Sequence, residues 1–107
     1  MRLLLDECVP RPLKHELAGH EVSTVVDQGW SSKRNSELLK LMLAAGFEGL
    51  VTVDQNLQFQ QNVAAAGVAV IVVMARTNRL KELRPLVPAI LDALQRVKRG
   101  ELIRVGA

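Results

Sequence analysis

Seven consecutive apolar residues, Val68 to Met74 (VAVIVVM), limit this chain more than any other feature. The run is dominated by β-branched side chains, which favour an extended backbone, and it is too short for a membrane-spanning helix. A strand without polar alternation has no face to offer water. It therefore belongs inside a sheet covered on both faces, the setting of parallel sheets with helical crossovers. This one segment predicts an α/β chain with Val68 to Met74 in a central position.

The remaining sequence supplies the partners. Leu3 to Leu5 reads as a first strand, and Pro10, Pro12, Leu13 and Leu17 as a helix that ends at Gly19. Glu21 to Val26 (EVSTVV) is a second strand, entering a polar loop from Asp27 to Arg34. A helix capped near Asn35 carries Leu38, Leu39, Leu41, Met42 and Leu43 and stops near Gly46. Leu50 to Val53 is a third strand, and Leu57 to Ala66 a helix closed by Gly67. Beyond the apolar run, Leu80 to Val97 keeps helical spacing, but Pro85 and Pro88 predict a break between two helical pieces. Leu102 to Val105 is a last, short edge strand. Strands alternating with helices predict a single three-layer α/β/α domain over residues 1–107. Its sheet should be mostly parallel, with about five short strands and right-handed crossovers.

Charge and cysteine usage narrow the setting. Fourteen Lys+Arg against eleven Asp+Glu give a net charge of +3, compatible with a polyanionic partner without requiring one. The single cysteine excludes an internal disulfide framework, and no Cys/His cluster has zinc spacing. The absence of an apolar leader or a span of about 20 apolar residues points to a soluble, cytoplasmic protein.

The chemistry is concentrated where strands end. RLLLDEC runs through three leucines into Asp6 and Glu7, and LVTVDQN climbs through the third strand into Asp54. In open parallel sheets, ligands bind outside the carboxyl ends of the strands, which places these acids along one edge. Two unit charges about 4 Å apart repel by about 4 kcal/mol near a protein surface, so gathered carboxylates call for a proton or a cation. Hard oxygen ligands suit Mg²⁺ or Mn²⁺, ions able to align a phosphodiester for hydrolysis. Glu37 is a candidate third acid, although an acid in a helical first turn also serves simply to complement the helix dipole.

The segments LLDECVPRPL, NSELL and VTVDQN resemble the small PIN-like proteins of a domain-of-unknown-function group related to the Mut7-C nuclease domains. The resemblance extends over nearly the whole chain. It implies a PIN-like fold and a metal-dependent ribonuclease acting as the toxin of a toxin–antitoxin pair, with RNA as substrate, Mg²⁺ or Mn²⁺ as cofactor and a small antitoxin protein as partner. It also assigns catalytic positions to Asp6, Glu7, Glu37 and Asp54. Metal ligands would be Asp6, Glu37, Asp54 and Asn56. The sequence departs from the pattern at Cys8, Asn35, Val53 and Asn56, where Asn, an acid, Arg and Asp are usual.

Arg11, Lys33, Arg34 and Arg76 adjoin the predicted edge and are candidate nucleic-acid contacts. Trp30 could stack on a base or pin its loop. Cys8 is expected to be a packed thiol, and His15 and His20 to lie away from the acids. The edge strand invites a protein contact, including self-association. Two alternatives to the ribonuclease remain: a PIN-like binding module with an eroded site, and a receiver-like phosphoacceptor, which shares the acidic pair and the later Asp.

Overall fold

A computed structural model describes residues 1–33, 35–53 and 66–106. It contains a five-stranded, wholly parallel sheet: β1 (Arg2–Leu5), β2 (Glu21–Thr24), β3 (Gly49–Thr52), β4 (Ala69–Val73) and β5 (Leu102–Val105), in the order β2-β1-β3-β4-β5. A 3-10 helix (Arg11–Glu16) follows β1, α1 (Asn35–Ala44) follows β2, and α2 (Leu80–Leu83) and α3 (Val87–Arg96) link β4 to β5. The fold is α/β, and β5 is an edge strand. The apolar run forms β4, flanked on both sides as its composition requires, while the geometric centre of the sheet is β3. The helix predicted over Leu57 to Ala66 falls almost wholly outside the described residues.

Alternation along the strands builds two cores. Leu3, Leu5, Val51, Ile71, Val73 and Val105 face Leu13 and Leu17 from the first connection and Leu83, Ile90, Ala93 and Leu94 from α2 and α3. Leu4, Leu50, Val70 and Val72 face Leu38, Leu39 and Met42 of α1 and the following Phe47. Each paired position shares a face with its neighbour, as in Leu4↔Leu50↔Val70 and Leu5↔Val51↔Ile71. Helical layers on both faces give the predicted three-layer sandwich. A Cβ on Gly49 would lie 2.9 Å from Leu3 Cδ2, so a larger residue there would have to displace that fully buried side chain.

Three expectations need correction. The first helix is a six-residue 3-10 helix, Arg11–Glu16, that stops short of Gly19. Pro10 and Pro12 lack N–H donors, and the Leu13 N–H closes onto Pro10 O, three residues back, at 3.0 Å. Strand β2 stops at Thr24 instead of Val26, because the Thr24 hydroxyl and carbonyl accept the N–H groups of Asp27 (3.0 Å) and Gln28 (3.1 Å) and start a turn.

The crossovers also cannot all share one hand. The first moves toward β2 over the face of Leu3 and Leu5, and the second returns toward β3 over the opposite face; these two share a hand. The last moves from β4 to β5 over the first face again, so its hand is opposite. Its physical reason is burial. One short 3-10 helix cannot cover Ile71, Val73 and Val105, and α3 supplies Ile90, Ala93 and Leu94 to that face. The predicted break at the prolines is a 3-10 turn over Arg84–Leu86, with Pro88 in the first turn of α3, where a missing N–H costs nothing.

Candidate active site

The parallel arrangement brings all five strand carboxyl ends to one edge. Sequential connections reverse direction between β1 and β3, the switch point at which open α/β sheets form a ligand crevice. Asp6 stands on one side of that point, its N–H bonded to Val51 O at 3.0 Å. Thr52, the last residue of β3, stands on the other and is fully buried.

Its hydroxyl donates to Asp6 Oδ2 at 2.7 Å, while the Glu7 N–H donates to Oδ1 at 2.9 Å. Both carboxylate oxygens are thereby oriented, and Asp6 remains only partly buried. The Cys8 thiol lies 3.7 Å from the same Oδ2 and 3.6 Å from Thr52 Oγ1. Burial first, and the neighbouring Asp6 charge among lesser causes, push its pKa up against the opposing hydrogen bonds from Thr52 and Val53. Cys8 is therefore a protonated side chain packed on the core, not an activated nucleophile.

Glu7 turns away from Asp6. Its Oε2 accepts the Ser32 N–H at 3.4 Å, joining the β1 end to the loop before α1. Ser32 sits at φ 67°, an uncommon conformation for a residue with a side chain. Glu37 is exposed in the first turn of α1, at the same edge, and makes no hydrogen bond or ion pair with Asp6 or Glu7. Among the described residues no three His, Cys, Asp or Glu side chains gather as a metal-binding group. Asp54, Asn56 and Arg34 lie outside the described residues. Val53, the residue immediately before Asp54, is described and packs against the core beside the switch point.

The basic candidates separate. Arg11 is committed to Asp27 at 3.2 Å. Lys33 and Arg76 are exposed and carry no ion pair among the described residues. Trp30 pins its loop: its ring meets Phe47 edge-on, with centroids 5.9 Å apart, and Arg2 lies over the other ring at 4.4 Å. His20 occupies the opposite end of the sheet, beside Met1, with a buried Nδ1 that has no hydrogen-bond partner.

The sequence reading missed Thr52 and Asn78. Thr52 is a polar residue closing a buried apolar strand, a pattern that marks a hydroxyl with a partner. Asn78 Nδ2 donates to Cys8 O at 3.0 Å across 70 residues of sequence, a contact with no local signature. Comparison with protein-family models, with curated proteins and with solved structures gives no match to this chain.

Proposed function

We propose that this chain is a PIN-like, Mg²⁺- or Mn²⁺-dependent ribonuclease, the toxin partner of a small antitoxin protein in the cytoplasm. One observation carries the reading: at the β1/β3 switch point, Asp6 is a half-exposed carboxylate whose two oxygens are oriented by the Thr52 hydroxyl and the Glu7 N–H, beside the strand that leads into Asp54. An oriented hard-oxygen donor of this kind fits a divalent cation.

Asp6, Glu37, Asp54 and Asn56 would hold the ion. When bound, it would polarise a phosphodiester and neutralise charge developing on it. Thr52 orients the Asp6 carboxylate ahead of binding, as a supporting hydrogen bond to a metal ligand does. Exposed Lys33 and Arg76 would hold flanking phosphates.

A receiver-like phosphoacceptor could share this strand order, but uniform right-handed winding would put the β4–β5 connection on the α1 face, whereas it lies on the opposite one. The test is cleavage of mixed-sequence RNA with Mg²⁺ or Mn²⁺ by wild type and Asp54→Asn. Metal-dependent cleavage lost in the variant supports the proposal. Equal cleavage by both proteins, or none by wild type with either ion, rejects it; wild type that binds but never cuts RNA would be an eroded binding module.

A further inference from the structure

We propose that residues 74–79, between β4 and α2, form a phosphate-binding loop for the RNA backbone, with Asn78 as its clasp and Arg79 joining Arg76 as a phosphate contact. The inference deepens the ribonuclease reading and rests on it for the choice of ligand.

The loop leaves β4, which does not adjoin β1, yet it reaches past the end of β3 to the β1 side. Asn78 makes that reach: its amide donates to the carbonyl of Cys8 at 3.0 Å, two residues beyond Asp6. That bond ties the loop to the residues that follow β1 at the switch point. Within the loop the Arg79 N–H donates to Thr77 Oγ1 at 3.2 Å, and the Arg79 carbonyl accepts the N–H groups of Glu82 and Leu83 at 3.0 and 3.2 Å. The backbone carrying Arg79 is therefore held at both ends of the turn.

The side chains are free where the backbone is not. Arg76 and Arg79 are exposed and have no carboxylate partner among the described residues. Arg11, Arg84 and Arg96 are paired with Asp27, Glu16 and Asp92; Arg99 and Arg104 are also exposed without a carboxylate partner among the described residues, but they do not lie on the loop that Asn78 ties to the β1 end. Two unpaired guanidiniums on a clasped loop beside an oriented carboxylate suit a phosphodiester chain, which presents successive anions while one phosphate sits at the acids. Asn78 acts through the two arginines and is a positioning residue.

The experiment measures binding without cleavage. A fluorescent ten-nucleotide 2′-O-methyl oligouridine is titrated without divalent metal, over a range of salt concentrations, against wild type, Arg76→Ala, Arg79→Ala, Asn78→Leu, Asn78→Gln and Lys98→Ala. Each arginine variant should weaken binding and reduce the slope of log affinity against log salt by about 0.7, the loss of one single-strand phosphate contact. Asn78→Leu, similar in size and neutral, should weaken binding at unchanged melting temperature. Asn78→Gln, which keeps an amide donor, should recover part of that loss. Lys98→Ala, at the opposite edge of the sheet, should match wild type. No binding by wild type, or an unchanged slope in both arginine variants, overturns the loop assignment even if metal-dependent cleavage is found. Arginine-dependent binding with no cleavage under any metal would instead uphold the loop and remove the nuclease.

Discussion

Thr52 shows how much one hydroxyl can contribute at this edge. It is fully buried and donates to a partly exposed carboxylate, the arrangement in which a neutral donor is worth about 1.5–3 kcal/mol. Thr52→Val keeps the shape and removes the donor. It should lower Mn²⁺ affinity by about ten- to a hundredfold, measured by calorimetry, as loss of a supporting bond to a metal ligand does. Cys8 gives the reverse expectation: its raised pKa keeps it a thiol at neutral pH, so iodoacetamide should label it more slowly than a free cysteine, with labelling rising only well into the alkaline range. His20 supplies a pH signature. Burial, then the N-terminal ammonium, lower its pKa below 6.5, so the unfolded chain takes up this proton more readily than the folded one. Its contribution is complete above about pH 6.5 and falls as the solution is acidified through the lowered value. Thermal melts from pH 7.5 to 5 should therefore fall less steeply for His20→Gln than for wild type; parallel curves would contradict the assignment.

At the scale of elements, the strands were legible because their burial is written in composition. VAVIVV is buried throughout, with Met74 at its end partly buried, and the leucines of β1 divide between two cores as a period of two requires. The helices were less legible. Proline positions marked the break near Pro85 but did not distinguish an α-helix from the 3-10 turn after Pro10, since both place Leu13 and Leu17 inward. Handedness was invisible because it depends on which face lacks cover, a property of the assembled sheet. Glycine and helix packing give direct checks. Gly49→Ala should destabilise the protein by about 1–3 kcal/mol in denaturant unfolding, since its Cβ would meet Leu3. Ile90→Ala should cost about 2–5 kcal/mol, because Ile90 is fully buried where α3 covers the sheet. A near-neutral Ile90→Ala would mean that the last crossover does not seal that face.

For the whole molecule, the parallel sheet separates two edges with different side chains. The strand amino ends hold Met1, His20 and the Arg2–Phe47 stack, whereas the carboxyl ends hold Asp6, Thr52, the Glu7–Ser32 contact and the Asn78 clasp. Asp6 and Glu7 could be placed at that edge from sequence because a strand visibly runs into them. The loops after β2 and β4 could be brought to the same edge through Lys33, Arg34 and Arg76, but not their contacts with the β1 end, which join residues 25 and 70 positions apart. Among the described residues no helix is long and apolar enough to cross a membrane. On the proposed function the Asp6 edge binds a divalent cation, and a ligand held at 100 times its dissociation constant stabilises a fold by about 2.7 kcal/mol. Thermal unfolding of wild type and Asp6→Asn with and without Mn²⁺ tests it most directly. Saturating Mn²⁺ should raise the wild-type melting temperature by about 10 °C and leave Asp6→Asn unchanged; no shift in wild type, or the same shift in both proteins, would contradict the claim.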